Sequence, residues 1–133
     1  MQDLYIRELV ILLARSLRKP ETATDNAMMR KLSRLRLEML SRPCEKWAVE
    51  DMAKSVSLSA SRFHVLYKAY FRTTPTRDLI NARIDQGKLL LLENREETLA
   101  VIAEKLGYRN PYDFSRQFTK FTGITPGAYR RNN

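Results

Sequence analysis

The stretch of residues 98 to 130 constrains the fold more than any other part of the chain, because helix start and stop signals follow one another closely within it. Thr98 is a candidate N-cap for a short helix whose apolar residues share one face. Gly107 follows that helix, at a position where a glycine commonly ends one. Asn110 is a second candidate N-cap, and Pro111 suits the first helical position after it. These signals predict two short helices joined by a tight turn.

Three phenylalanines of the second helix, Phe114, Phe118 and Phe121, recur at spacings of four and three residues and therefore share one face. We expect them to form a core rather than a platform on which bases stack. The opposite side carries the polar residues Ser115, Arg116, Thr119 and Lys120. Two short helices, a glycine-containing turn and a basic second helix are typical of a helix-turn-helix, whose second helix enters the DNA major groove.

The same pattern occurs once earlier in the chain, which makes it an internal repeat. The corresponding pairs, with one additional residue in the second copy, are Ala53 and Ala103, Val56 and Leu106, Phe63 and Phe114, Tyr67 and Phe118, and Pro75 and Pro126. Ser59 is the predicted N-cap of the second helix in the first copy. The sequence therefore predicts two helix-turn-helix units, at about residues 48–71 and 98–121.

Two further helices complete the predicted domain. A longer helix over residues 76 to 92 connects the two units and would pack against both. Residues 25 to 41 predict a helix whose apolar seam we expect to pack within the domain, through Met28, Leu32, Leu35 and Met39.

The N-terminal segment differs from the rest in its pattern. Residues 2 to 19 predict a helix that is more apolar than a lone surface helix, so it needs a partner surface. We interpret residues 1–43 as a helical arm or linker and residues 44–133 as the DNA-binding domain. The predicted fold class is all-α: two helix-turn-helix subdomains joined by a connecting helix and preceded by an N-terminal helical arm.

The charge of the chain favours a polyanionic partner. Its formal net charge is +9 and its pI is about 10. One cysteine, Cys44, excludes an internal disulfide and a cysteine-rich metal site. No apolar run approaches the ~20 residues that a membrane-spanning helix needs. We therefore expect a cytoplasmic protein that binds no membrane.

Several observations argue against an enzyme. The chain has one histidine and one cysteine, and it lacks a glycine-rich phosphate loop and a cluster of metal ligands. Glu96 and Glu97 are adjacent and point to different sides of a turn, so they are not a catalytic pair. We expect no catalytic residue, no cofactor and no metal ion.

The segments IAEKLGY, FSRQF and TGITPGAYR, within residues 102 to 130, resemble the C-terminal signature of the AraC/XylS family of bacterial transcription regulators. The resemblance extends over residues 46 to 131, and RIDQGKLLL, including Arg83, is similar to the connecting helix of that family. It implies a sequence-specific regulator that inserts two recognition helices into successive major grooves, roughly 34 Å apart on one face of the duplex. The alternative is a helical protein-interaction module that has lost specific DNA binding.

The sequence departs from the family pattern at four positions. Arg72 and Ser57 each replace a glycine, Gly87 replaces an alanine, and Tyr67 stands where phenylalanine is commoner. If the backbone at Arg72 is left-handed, a non-glycine residue there costs about 1 kcal/mol or more, so the turn after the first recognition helix is expected to differ. Glycine within the connecting helix costs a similar amount, unless close packing requires it.

The resemblance implies which residues read bases: Ser61, His64 and Val65 in the first unit, and Pro111, Tyr112, Ser115 and Arg116 in the second. Arg116 is the strongest candidate among them, because a guanidinium can bind O6 and N7 of guanine together. His64 is expected to contact the groove, whereas Val65 offers only apolar contact, such as with a thymine methyl. Tyr112 either reads a base or covers the start of its helix.

Other residues are predicted to contact phosphates and so to position the protein without reading sequence. They are Ser59, Lys68, Arg72, Asn110, Thr119, Lys120 and Arg130. Ser59 and Asn110 are included because helix starts present free N–H groups to phosphate. In the C-terminal tail we expect Tyr129 to dock on the second unit and to leave Arg130 and Arg131 near phosphate.

The predicted partners are double-stranded DNA and RNA polymerase. Residues 2 to 19 are expected to pair with a second copy or to dock on a missing N-terminal effector domain. Nothing before residue 46 has the strand pattern of a ligand-binding barrel. The chain is thus interpreted as either a C-terminal piece of a longer regulator or a short stand-alone one.

Overall fold

The computed structural model describes residues 23–133, and this part of the chain is helical, without a strand. Its seven helices are α1 (Ala23–Ser41), α2 (Val49–Ser55), α3 (Ala60–Phe71), α4 (Pro75–Glu93), α5 (Leu99–Lys105), α6 (Pro111–Thr122) and α7 (Pro126–Asn132). The all-α prediction is confirmed for these residues. The helix predicted over residues 2 to 19 lies outside them.

Polar side chains fix the starts of most of these helices. The N-caps of α3, α5 and α6 are Ser59, Thr98 and Asn110, and each side-chain oxygen accepts a hydrogen bond from the backbone N–H three residues later. Thr74 and Thr125 cap α4 and α7 in the same way. The three predicted caps are confirmed, and the local sequence therefore sets where the helices of each unit begin.

The first hydrophobic core joins α1 to the first helix-turn-helix unit. Leu32 and Met39 of α1 are fully buried, together with Phe63 and Tyr67 of α3. The predicted packing of the α1 seam within the domain is thus confirmed. α1 therefore packs against the first helix-turn-helix unit and shares its core.

The second core contains the apolar residues of α5 and α6. Ile102, Phe114 and Phe118 are fully buried there. The connecting helix α4 contributes to both cores, because Leu79 lies in the first and Leu91 in the second. α4 therefore packs against both units and holds them together in one structure.

Left-handed backbone at four positions shapes the turns. Ser57 and Arg72 have φ values of 61° and 59°, and the corresponding glycines of the second unit, Gly107 and Gly123, have 89° and 85°. Arg72 thus adopts the left-handed conformation that favours glycine, and the turn after α3 does not differ in this respect from the turn after α6. Gly107 has a second constraint, since a Cβ there would lie 2.5 Å from the carbonyl oxygen of Cys44.

Gly87 allows α4 to approach the second unit closely. A Cβ at this buried position would lie 3.1 Å from Leu106 Cδ1 and 3.1 Å from Phe114 Cε1. Close packing thus explains a glycine in the middle of a helix, where its conformational freedom is otherwise unfavourable.

A buried polar cluster that the sequence did not predict lies in the first core. The Tyr67 hydroxyl donates to Asp78 Oδ2 at 2.5 Å, and Arg36 Nε donates to the same oxygen at 2.7 Å. The guanidinium of Arg36 also lies 4.8 Å from the centroid of the Phe71 ring. Burial, followed by the hydrogen bond to Asp78, raises the pKa of Tyr67. These contacts satisfy a carboxylate that would otherwise be costly to bury.

Arg83 connects the two units. Its Nε donates to the carbonyl oxygen of Pro43 at 2.7 Å, and its Nη2 donates to that of Glu45 at 2.9 Å. The guanidinium carbon lies 5.8 Å from the centroid of the Tyr108 ring, in the turn of the second unit. Together with the contact between Cys44 and Gly107, this side chain holds the segment before α2 against the second helix-turn-helix.

Candidate nucleic-acid interface

The exposed side of α3 carries the three base-reading candidates of the first unit. Phe63 and Tyr67 point into the core, and Ser61, His64 and Val65 are all exposed on the other side. Val65 is an apolar side chain with 56% of its surface exposed. A valine that does not pack internally is available for apolar contact with a partner.

The second helix of the second unit, α6, has the same arrangement. Phe114 and Phe118 are fully buried, whereas Tyr112 is 77% exposed. The Arg116 side chain is 78% exposed, and Ser115 is half-buried beside it. A large aromatic and a long cation therefore project from the side of α6 that faces away from the core.

The residues of α3 and α6 that face away from the core, exposed or half-buried, occupy equivalent positions. In each helix they recur at i, i+3, i+4 and i+7, which places them in one stripe. The equivalent pairs are Ser61 and Tyr112, His64 and Ser115, Val65 and Arg116, and Lys68 and Thr119. The repeat thus provides two stripes at equivalent positions, and the side chains of the two stripes differ in their chemistry.

Asp113 is a residue of this surface that sequence reasoning missed. Asn110 Oδ1 accepts a hydrogen bond from the Asp113 backbone N–H at 2.9 Å, and Asp113 Oδ1 in turn accepts one from Arg116 Nη2 at 2.5 Å. The acidic and basic residues are three positions apart on a helix, a spacing that signals such a pair. Asp113 therefore orients the guanidinium of Arg116 from within the helix.

Pro111, half-buried, occupies the first helical position.

The predicted phosphate contacts divide into free side chains and side chains already in use. Lys68, Arg72 and Lys120 are exposed. The side chains of Ser59 and Asn110 serve as N-caps. The Thr119 hydroxyl donates to the carbonyl oxygen of Ser115 at 2.7 Å. Of these residues, Lys68, Arg72 and Lys120 present an exposed charged group, whereas the side chains of Ser59, Asn110 and Thr119 already make hydrogen bonds within the protein.

Arg130 has a role different from the predicted one. Its guanidinium donates to the carbonyl oxygens of Leu91, Asn94 and Glu97, at 3.1, 3.1 and 2.9 Å. These groups lie at the end of α4 and in the turn that follows it, where carbonyls lack intrahelical partners. The structure thus replaces the predicted phosphate contact with a structural one. The neighbouring Tyr129 docks on the second core as predicted, with its ring centroid 5.6 Å from that of Phe118.

Among residues 23–133, no three histidine, cysteine or acidic side chains lie where they could hold a metal ion. Burial raises the pKa of the Cys44 thiol, which keeps it protonated and unreactive at neutral pH. None of the helices in this part of the chain has the length and apolar character needed to cross a membrane.

Comparison with known proteins identifies this arrangement. A family model described as a helix-turn-helix domain matches residues 52–132, which include both stripes. The chain belongs to the AraC/XylS family. This AraC/XylS chain contains the family's DNA-binding domain, which is not a class of enzyme.

Bacterial regulators are among the relatives of this AraC/XylS chain. It is 31% identical to the MmsAB operon regulatory protein of Pseudomonas aeruginosa over 121 residues, or 90% of this chain and 36% of that protein. It is 32% identical to the RCS-specific transcriptional activator RclR of Escherichia coli over 93 residues, or 70% of this chain and 32% of that protein. The chain thus spans about one third of the length of these relatives.

Solved structures share the fold of this AraC/XylS domain. The DNA-binding domain of AdpA, crystallised with a target DNA, matches with a TM-score of 0.70 at 25% identity, covering 76% of this chain and 90% of that chain. The C-terminal domain of AraT, a response regulator from Geobacillus stearothermophilus, matches with a TM-score of 0.72 at 25% identity, covering 77% and 85%. The resemblance stated from the sequence motifs is confirmed.

Proposed function

We propose that this chain binds double-stranded DNA in a sequence-specific manner as the DNA-binding part of a bacterial transcription regulator. The observation that carries the proposal is the pair of equivalent exposed stripes on α3 and α6, each opposite a buried aromatic core. The AdpA domain that shares this fold was crystallised on DNA. Each stripe enters a major groove, and the two grooves are successive on one face of the duplex.

The second unit supplies most of the base discrimination. Arg116 donates to O6 and N7 of a guanine, a bidentate contact that distinguishes guanine from the other bases. Tyr112 and Ser115 flank it on the same stripe, and Pro111 borders the groove at the helix start. This assignment rests on the exposure of Arg116 and on its orientation by Asp113.

The first unit reads less sequence information. His64 and Ser61 each offer a hydrogen-bonding side chain, and Val65 contacts a thymine methyl. Arg116 has no cationic equivalent in this unit, since Val65 occupies its position. Lys68 and Arg72, exposed at the end of α3, contact phosphates and anchor the helix in its groove.

Phosphate contacts in the second unit involve both side chains and backbone. Lys120 is an exposed cation of α6 that has no ion pair within the described residues. Thr119 contributes less, because its hydroxyl already donates a hydrogen bond within the helix. The backbone N–H groups at the helix starts that the N-caps leave free, those of Ala60 and Ser61 in α3 and of Tyr112 in α6, point toward phosphate. These contacts add affinity without sequence information.

The remaining assignments concern partners and location. We place the regulator in the bacterial cytoplasm with RNA polymerase as a further partner. Residues 2 to 19 pair with a second copy or dock on an effector domain, and residues 1–43 therefore link the DNA-binding domain to that partner. The apolar sequence of this segment supports the assignment.

The salt dependence of DNA affinity tests the proposed function. The logarithm of the binding constant should fall linearly with the logarithm of salt concentration, with a slope of about 0.9 for each phosphate that the protein neutralises. Affinity for a selected site should also exceed affinity for a scrambled duplex of equal length and composition. An interaction module without DNA binding would give neither result.

A further inference from the structure

A cleft between the two units has an unbalanced positive charge. Its volume is about 1100 Å³, and it lies between residues 44 to 47 on one side and α6 with its preceding turn on the other. Five basic and two acidic side chains line it, namely Lys46, Arg83, Arg109, Arg116, Lys120, Glu45 and Asp113. The cleft borders the exposed stripe of α6, since Arg116 belongs to both.

Both acidic side chains of the cleft are already paired. Asp113 binds Arg116, and Glu45 lies 3.4 Å from Arg42, a residue outside the cleft. Arg83 donates to two carbonyl oxygens. Three exposed cations remain, and within residues 23–133 no acidic side chain pairs with any of them: Lys46, Arg109 and Lys120. An anion entering the cleft therefore meets uncompensated positive charge from both units.

Two of these cations belong to the space between the units and are not features of the repeat. Arg109 is the additional residue of the second turn, so the first unit has no equivalent of it. Lys46 precedes α2, and the equivalent position before α5 is Glu96, an exposed acid. Lys46 and Arg109 therefore add positive charge to the cleft that the repeat does not place at the equivalent positions.

We infer that this cleft binds the phosphodiester backbone of the DNA strand that passes between the two half-sites, with Lys46 and Arg109 as phosphate contacts. This inference rests on the proposed function. With α3 and α6 in successive major grooves, the intervening minor groove and its two backbones face the junction of the units. An open cleft that continues into a reading stripe suits a continuous polyanion. The contacts add affinity equally on every sequence.

The test compares two double variants of equal charge. Lys46→Gln with Arg109→Gln removes the cleft cations, and Lys31→Gln with Arg34→Gln removes two exposed cations of α1 that do not line the cleft. We expect the salt slope of the cleft variant to fall by about 1.8, which corresponds to about 30-fold weaker binding at 0.15 M salt. The loss should be equal on the selected site and on an unrelated duplex. The α1 variant should retain the wild-type slope.

Ethylation interference on the selected site locates the contacts. Phosphates whose ethylation weakens the wild type but not the cleft variant should lie between the two half-sites. Equal slopes for the two double variants would overturn the inference and leave the proposed function intact. Pyrophosphate binding that the cleft variant loses, with DNA affinity unchanged, would also overturn it and assign the cleft to a small anion. Failure of the wild type to bind any duplex would instead contradict the proposed function.

Discussion

Arg116 combines exposure with a fixed orientation. Its guanidinium binds Asp113 through one nitrogen, at 2.5 Å. An exposed ion pair stabilises a helix by less than about 1 kcal/mol, so its main effect is on where the side chain points. The other N–H groups of the guanidinium remain free for two acceptors in the groove.

Replacing Arg116 should change specificity as well as affinity. We expect Arg116→Ala to lose about 1–3 kcal/mol of binding free energy at the selected site and to relax preference at one base pair. Binding constants for the site and its single-base-pair variants measure both effects. Lys120→Ala is the control, because loss of a phosphate contact weakens binding to all sequences alike. A uniform loss for Arg116→Ala would reduce this residue to a phosphate contact.

Tyr67 makes stability dependent on alkaline pH. Burial raises its pKa, so the folded state retains the hydroxyl proton at pH values where the unfolded state, with a pKa of about 10, has lost it. Its contribution to stability is therefore complete below about pH 10 and decreases above it, by at most ~1.4 kcal/mol per pH unit.

Urea unfolding between pH 8 and 11 measures this effect. Tyr67→Phe should show a shallower loss of unfolding free energy above pH 10 than the wild type, because it removes one such proton. Tyr112→Phe is the matched control, since it also removes one tyrosine hydroxyl but at a position that is 77% exposed. Identical alkaline profiles for Tyr67→Phe and the wild type would show that the folded state does not hold this proton.

At the scale of helices, the closeness of α4 to the second unit depends on Gly87. Helix propensity alone would make Gly87→Val slightly stabilising. Its Cβ would meet Leu106 and Phe114 at 3.1 Å, and the γ-methyls would add to the crowding. We therefore expect destabilisation by about 1–3 kcal/mol, measured by urea unfolding. Ala82→Val, at a half-buried position of the same helix, should cost only the difference in propensity. A neutral Gly87→Val would show that the second core has spare room.

Arg130 connects α7 to the end of α4. Arg130→Gln removes three hydrogen bonds to carbonyl oxygens. At about 1 kcal/mol for each bond, we expect a loss of roughly 2–3 kcal/mol in unfolding free energy. The salt slope of DNA binding should not change in this variant. Arg131→Gln is the control, because Arg131 is exposed and its replacement should leave stability unaffected. Full stability with a slope reduced by about 0.9 would restore the original prediction of a phosphate contact.

The repeat and its helices could be predicted because they depend on local spacing. Phe63 and Phe114 recur in the same position of each unit, and Ser59 and Asn110 cap the helices that follow them. The correspondence of Arg72 with Gly123 identified the position of the turn, but it did not show that an arginine keeps the left-handed conformation there.

Tertiary contacts account for what the sequence did not predict. Arg36 and Asp78 are 42 residues apart, and Arg130 reaches carbonyls 33 to 39 residues away. Residues so far apart in the sequence leave no periodic pattern from which their contact could be predicted. The cleft was missed for the same reason, because Lys46 and Arg109 come together only when the two units pack.

At the scale of the whole molecule, the junction between the units determines how both stripes meet DNA. Arg83 and the backbone contact between Cys44 and Gly107 join the units directly, and α4 supports both cores. A junction of this kind sets the separation of α3 and α6. The duplex must then bend or otherwise deform where its own groove spacing differs.

Selection of bound sequences from a random duplex library, at about 0.15 M salt, tests the two-unit mode of binding most directly. We expect two enriched blocks about one helical turn apart, with the stronger preference in the block read by α6. A single block matching α6 would mean that α3 only anchors the backbone. Salt-sensitive binding without any enriched sequence would contradict sequence-specific recognition, and absence of binding would favour a protein-interaction module.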